Sequence, residues 1–180
     1  CRDAVNSFYF VQVLSDKLDE NAVIVTDMGT SFTCTMQTFK TKLGQRLSTS
    51  SGHASMGFGL PGAIGACFGN NRKDTICISG DGGLQMNIQE LQPIVHYNLP
   101  IKLFVLNNNG YLTIKATQQN HFGRFVGAEE SSGETCPDII KIATAYGLPS
   151  IRISNTEELN LKMGHLLRVG IYILKKICYI

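Results

Sequence analysis

Thr75-Ile76-Cys77-Ile78-Ser79-Gly80-Asp81-Gly82-Gly83 decides how the rest of the chain is read. Five residues, mostly β-branched or apolar, predict a buried strand, and the glycines after it predict an abrupt turn. Asp81 therefore falls at the carboxyl edge of a sheet, where open α/β folds bind ligands. Gly82 and Gly83 permit close backbone approach. The apolar-periodic stretch from Leu84 to Tyr97 then predicts a helix whose amino end faces the same edge and suits an anion such as phosphate.

The next unit repeats the pattern. Pro100 restarts the chain into Ile101-Lys102-Leu103-Phe104-Val105-Leu106, a second buried strand, and Asn107-Asn108-Asn109-Gly110 follows at its end. Asn108 comes 27 positions after Asp81, one αβ unit later, at the same sheet edge. A carboxylate oxygen, an amide oxygen and a backbone carbonyl at Gly110 leave octahedral places open for diphosphate oxygens and water, an arrangement that suits magnesium. Calcium would call for more protein oxygens.

The Gly80-Asp81-Gly82 to Asn107-Asn108 pattern resembles the motif of thiamin-diphosphate-dependent enzymes, in the diphosphate-binding domain of the acetolactate synthase and 2-oxo acid decarboxylase family. The resemblance runs from about Phe8 to about Thr156. It implies that Asp81, Asn108 and the carbonyl of Gly110 hold magnesium, and that Gly80, Gly82, Gly83 and Tyr111 lie at the cofactor. Upstream, Thr26-Asp27-Met28-Gly29-Thr30-Ser31 is similar to the family's strand-end loop, with Gly29, Thr30 and Ser31 as diphosphate contacts. Ser51-Gly52-His53-Ala54-Ser55-Met56-Gly57 is similar to its aminopyrimidine-binding turn. There the Ala54 carbonyl accepts from the cofactor's amino group, Ser55 lies alongside, and Met56 wedges the cofactor into a bent shape.

Three loops at matching separations carry this assignment. A lone Gly-Asp-Gly is an ordinary turn, and a lone methionine an ordinary core side chain.

The family resemblance also says what this chain lacks. The activating glutamate of such enzymes sits on a separate pyrimidine-binding domain, so no catalytic residue is assigned here and the chain alone is expected to be nearly inactive. Glu90 lies on the helix after the diphosphate loop, and Glu129, Glu130 and Glu134 fall in a polar segment between Val126 and Cys136 that reads as a solvated loop. The stretch from Gln118 to Phe125 suits a mobile cover over the metal loop, with His121 and Arg124 as candidates for substrate contact. Acetolactate synthases carry a tryptophan about nine positions after the metal-binding asparagine. This chain has Thr117 there and no tryptophan at all. A small-molecule 2-oxo acid substrate, a pyrimidine-binding domain or subunit, and a homodimer or homotetramer are the partners implied.

Composition narrows the classes. At 180 residues, 43% hydrophobic and 17% charged, one domain with a sizeable core is expected over the whole chain, as part of a longer enzyme. A formal charge of +2 with no basic run gives no case for nucleic-acid binding. No apolar run reaches the length of a membrane span. The six cysteines, at 1, 34, 67, 77, 136 and 178, form no C-x-x-C pair, which suits a reduced, cytoplasmic setting. The first residue is not Met, which suggests an internal fragment.

Strand and helix signals alternate along the chain. Val5 to Leu18, Phe32 to Phe39, Gly59 to Phe68 and a stretch opened by Cys136-Pro137-Asp138 and running to Tyr146 predict helices; Ala22 to Thr26 and Pro149 to Ile153 predict strands. Asn155 and Glu158 resemble a capping pair. Pro93 inside its helix is expected to kink or shorten it. The sum is an α/β fold, a doubly wound and mainly parallel sheet of about six strands with helices on both faces. The segment from Gly164 to Ile180 departs from the family's usual end, and truncation or a reading-frame change would explain it.

Two other classes compete. One is a non-catalytic cofactor-binding or assembly module. The other is an NAD-binding domain, because Gly57-Phe58-Gly59-Leu60-Pro61-Gly62 fits G-x-G-x-x-G and Asp81 follows Gly62 by 19 residues. That fingerprint needs a buried strand before its first glycine, and Ser48 to Ser55 is small and polar.

Overall fold

The computed structural model describes residues 4–164, 170–175 and 177–178. Six strands form one all-parallel sheet: β2 (Val23–Thr26), β3 (Arg46–Ser48), β4 (Thr75–Gly80), β5 (Ile101–Asn107), β6 (Ser150–Ile153) and β7 (Gly170–Lys175). Their order across the sheet is β3-β2-β4-β5-β7-β6. A short parallel pair, β1 (Val5–Asn6) with β8 (Ile177–Cys178), stands apart from it. The doubly wound parallel sheet expected from the alternation is present.

Burial on both faces explains why the strands are apolar throughout. Ile76 and Ile78 of β4, with Phe104 and Leu106 of β5, face one core; Cys77, Leu103 and Val105 face the other. Helix α1 (Ser7–Lys17) packs Phe10 and Leu14 into the first core, where Phe104 lies between Phe10 and Tyr172 at ring distances of 5.2 and 5.1 Å. On the same side are α2 (Thr30–Thr38), which buries Cys34, and α8 (Thr156–Lys162), which buries Leu159. The second core takes Leu60, Ala63 and Cys67 of α3 (Gly59–Gly69). It also takes Ile139 and Ala143 from α7 (Ile139–Ala145).

Local chemistry sets the helix ends. Asn6 Oδ1 accepts from the Tyr9 amide and Asp138 Oδ1 from the Ile140 amide, both N-caps that satisfy orphan donors. Asn155 Oδ1 accepts from the Glu158 amide, while the Glu158 carboxylate reaches back to the Ser154 amide. Gly147, at φ +70°, follows the end of α7 in the left-handed conformation of a helix stop.

The helix predicted from Leu84 to Tyr97 is divided. It begins earlier, as α4 (Asp81–Met86), passes through a 3₁₀ turn (Ile88–Glu90), and resumes as α5 (Leu91–Tyr97). The break falls at Asn87 rather than at Pro93. Pro93 is the third residue of α5, where the first-turn amide has no partner within the helix to lose.

The dinucleotide reading fails on the backbone. Residues 49–58 run through turns, and β3 before them is a short edge strand with exposed ends. The glycines of that fingerprint serve packing. A Cβ on Gly59 would lie 2.9 Å from Asp27 Cβ, and one on Gly62 would lie 2.9 Å from the Phe58 ring.

Of the C-terminal segment expected to be atypical, Gly170–Lys175 forms an inner strand, paired in parallel with β5 and β6. Residues 165–169, 176, 179 and 180, with Leu166 to Val169 among them, lie outside the described residues.

Candidate functional site

The chain reverses its direction of travel across the sheet between β2 and β4, because β3 lies to one side of β2 and β4 to the other. Such a switch point leaves a crevice beyond the carboxyl ends of the strands. Three loops meet there: Asp27–Thr30 after β2, Gly80–Gly83 after β4, and Asn108–Tyr111 after β5. A cleft at this edge is lined by Gly29, Thr30, Met56, Gly80, Asp81, Gly82, Gly83, Asn108, Gly110 and Tyr111, together with Met28, Leu112 and Thr113.

Asp81 is fully buried. Its Oδ2 accepts from the amides of Asn108 (3.2 Å), Asn109 (2.7 Å) and Gly110 (3.4 Å), and its Oδ1 from Gly82 (3.0 Å). One carboxylate thus staples the loop after β5 to the loop after β4. Burial still dominates, and its acidity is weakened from an ordinary 3.8 to about 6 despite those four amides.

The end of the Asn108 amide that faces this cluster lies 3.3 Å from Asp81 Oδ1 and 2.6 Å from the Gly110 carbonyl oxygen. As nitrogen it donates to both. As oxygen it completes a group of three oxygens that repel one another unless a cation lies among them. A carboxylate, an amide and a carbonyl are hard donors and fit magnesium. Among the described residues, no three His, Cys, Asp or Glu side chains gather in a way that would hold a softer metal.

The glycines of the turn make room for protein groups. A Cβ on Gly82 would lie 2.4 Å from the Tyr111 ring, and one on Gly83 would lie 2.6 Å from Asp27 Oδ2. The close approach anticipated from Gly82 and Gly83 is therefore made by Tyr111 and Asp27.

Asp27 is the residue that sequence reasoning passed over. It is 1% exposed, and its carboxylate accepts from the Met28 amide (2.8 Å), the Gly57 amide (2.9 and 3.2 Å to its two oxygens) and the Ser79 hydroxyl (2.8 Å). Burial pushes its acidity down, and those donors partly restore it. An acidic residue directly after an apolar strand, two positions before Gly29, was the available signal.

The remaining predicted residues separate into two groups. Thr30 is buried at the cleft, whereas Ser31, equally buried, turns its hydroxyl to the Met28 carbonyl and does not line it. Ala54 and Ser55 are exposed on the turn before Met56, and Ala54 adopts φ +52°, a left-handed backbone unusual for alanine. Met56 is 38% exposed and does line the cleft.

The expected cover over the metal loop takes another form. Gln118 to Phe122 belongs to α6 (Leu112–Phe122), a helix with no buried residue, and His121 and Arg124 are exposed and do not line the cleft. The segment expected to be a solvated loop is only partly so. Ala128 is fully buried and its carbonyl accepts from the Tyr111 amide at 2.9 Å, so the segment latches onto the loop after β5. Glu129 is ion-paired with Lys115 and Glu130 is exposed. Glu134 accepts from the Cys136 thiol at 3.3 Å, while its other oxygen is buried without a hydrogen-bond partner. Burial, reinforced by the nearby Asp81 charge, holds the Cys136 thiol protonated.

Fold and site together define an α/β domain with an oxygen-lined cleft at its switch point, of the kind that binds a phosphorylated cofactor. Residues 27–173 match the family model described as "Thiamine pyrophosphate enzyme, C-terminal TPP binding domain". The chain belongs to that family of thiamin-diphosphate enzymes. It is 36% identical over 152 residues to the acetolactate synthase large subunit of Cyanidium caldarium, which covers 84% of this chain and 26% of that protein. It is 34% identical over 163 residues to acetolactate synthase 1, chloroplastic, of Nicotiana tabacum (87% and 24%), and 35% identical over 143 residues to the probable acetolactate synthase large subunit of Methanococcus aeolicus (79% and 24%). The chain thus spans about a quarter of the length of these relatives.

Proposed function

We propose that this chain is the thiamin-diphosphate- and magnesium-binding domain of an acetolactate-synthase-like enzyme acting on a 2-oxo acid. The observation that carries the reading is the convergence of the Asp81 carboxylate, the Asn108 amide and the Gly110 carbonyl at the carboxyl edge of the sheet, inside the cleft that Met56 also lines.

In this reading those three groups hold magnesium, and Gly29, Thr30 and the Gly80–Gly83 turn receive the diphosphate. Met56, with the backbone at Ala54 and Ser55, supports the aminopyrimidine end. Thiamin diphosphate, when bound, supplies an electron sink for breaking the bond between the carboxylate and the carbonyl carbon of a 2-oxo acid. The chain's own residues bind and orient. Asp81 neutralises cation charge from a fully buried position, and four backbone amides keep its carboxylate from rotating. The ring of Tyr111 packs against Gly82 in the wall of the cleft, and Cys136, held protonated, adds no negative charge near Asp81.

A pyrimidine-binding domain, in the same or another chain, supplies the activating acid in this proposal, within a homodimer or homotetramer. This domain by itself is nearly inactive in the same reading. Thr117, exposed on α6, stands where acetolactate synthases carry tryptophan, so the proposal stops at the 2-oxo acid and does not extend to the acceptor. The unpaired thiols of Cys34, Cys67 and Cys77 accord with a reducing, cytoplasmic setting, and among the described residues no helix is long and apolar enough to cross a membrane.

Thermal unfolding tests the reading, because a ligand that binds only the folded state raises the midpoint. Thiamin diphosphate with magnesium should raise it, while chelator or NAD in place of that pair should not. A rise with NAD alone, or one indifferent to chelator, would remove the proposal.

A further inference from the structure

Helix α4 stops after six residues, at Asn87, whose backbone leaves the helical region (φ −135°, ψ 36°). Pro93 does not require this, since it sits within the first turn of the next helix. The break turns the Asn87 side chain back over the sheet edge, where its Nδ2 donates to the Gly57 carbonyl at 2.8 Å. The other polar group of Gly57 is held as well. Its amide donates to both oxygens of Asp27, at 2.9 and 3.2 Å. Gly57 itself has φ +83°, and a Cβ there would lie 2.8 Å from Asn87 Nδ2, so only glycine admits this double grip.

What the grip controls lies one residue upstream. Residues 51–56 are all exposed, and the backbone bonds that hold them are local: the His53 and Ala54 amides donate to the Ser50 carbonyl, and the Phe58 amide donates to the Ser55 carbonyl at a long 3.4 Å. Met56 therefore hangs between a loosely held turn and a tightly held Gly57. Asp27 also binds Ser79, the residue before Gly80-Asp81, so it ties this turn to the oxygen cluster.

We infer that Asn87 and Asp27 are positioning residues that fix the height of Met56 in the cleft, and that Asn87 acts on the part of the ligand lying against Met56 rather than on the diphosphate. This rests on the function proposed above. Asn87 reaches Met56 only through Gly57, and it contacts none of the three oxygens of the cation cluster.

The test uses two probes on this protein, thiamin diphosphate with magnesium and inorganic pyrophosphate with magnesium, with affinities measured by calorimetry. Asn87→Ala removes the half-buried hydrogen bond to the Gly57 carbonyl and an exposed one from Gln89, and should lower the ligand-free unfolding midpoint by only about 1–6 °C. Losing the equivalent of one hydrogen bond in binding, thiamin diphosphate should weaken about 10-fold while pyrophosphate changes less than about 2-fold. Asp27→Asn, which keeps one acceptor oxygen, should shift the same ratio in the same direction. Equal weakening of both probes would mean general loosening of the edge and would overturn the inference, as would no change in either. Wild-type protein that binds neither probe would remove the proposed function, and this inference with it.

Discussion

Asp81→Asn should make the metal-free domain more stable while abolishing its response to magnesium. Burial holds Asp81 at about 6 against an ordinary 3.8. The folded state therefore prefers the neutral acid by about 3 kcal/mol, at about 1.4 kcal/mol for each tenfold change in acidity. That penalty is present at pH 7.5, where the folded group is ionised, and it is relieved as pH falls through 6 toward 4. Asparagine is neutral at every pH. It keeps one oxygen for the three amides of the loop after β5 and turns its nitrogen toward the Gly82 amide, which forfeits about 1–2 kcal/mol. The net gain is about 1–2 kcal/mol at pH 7.5. For a domain of this size that is about 2–8 °C in the unfolding midpoint. Differential scanning fluorimetry in chelator, at pH 7.5 and at pH 5, reads it directly. The variant should melt above the wild type at pH 7.5, and the gap should close or reverse at pH 5. With magnesium and thiamin diphosphate the order should invert, because only the wild type gains. A variant less stable than wild type in chelator at pH 7.5, or a gap that widens on acidification, would refute the assignment of Asp81 as a buried charge awaiting a cation.

Gly82→Ala places a Cβ 2.4 Å from the Tyr111 ring and should destabilise by about 1–3 kcal/mol. Adding Tyr111→Ala should recover part of that loss, so chemical denaturation of the double-mutant cycle should show strong non-additivity. Lys102 is 4% exposed and ion-paired with Asp74, which is 69% exposed. Asp74→Asn should destabilise by about 1–3 kcal/mol by leaving a buried ammonium unpaired, while Lys102→Met should stay within about 1 kcal/mol of wild type or gain, as read from urea midpoints. Phe104→Ala removes a fully buried ring between Phe10 and Tyr172 and should cost about 3–5 kcal/mol, measured the same way.

The parts legible in the sequence were those with a period or a fixed spacing. β4 and β5 read as strands because both of their faces are buried and nearly every residue is therefore apolar. Asp81 and Asn108 were found because each ends such a strand. Asp27 and Asn87 were not, because each acts on the Gly57 backbone, and a side chain that bonds a distant peptide group leaves no pattern around itself. The helix break was assigned to Pro93 by its ring chemistry, whereas the tertiary bond of Asn87 decides where α4 ends. The second half of α6, from Gln118, reads as a mobile cover because its polar residues show no apolar stripe, and the helix indeed buries none of its residues. β3 was missed because an edge strand of three residues with exposed ends carries almost no hydrophobic signal.

The position of β7 has a consequence for how the chain is made. β7 comes after β6 in sequence yet lies between β6 and β5 in the sheet. As the polypeptide leaves the ribosome, β6 has no neighbour to pair with until Gly170–Lys175 has emerged, and the flank of β5 stays open for the same interval. The first four strands of the sheet, β3-β2-β4-β5, can assemble during synthesis. The last two pair with each other through neighbours close in sequence, such as Ser150 with Ile171, but join the sheet only where β7 meets β5, as Lys102 meets Gly170, and that distant contact makes the docking step the slow one.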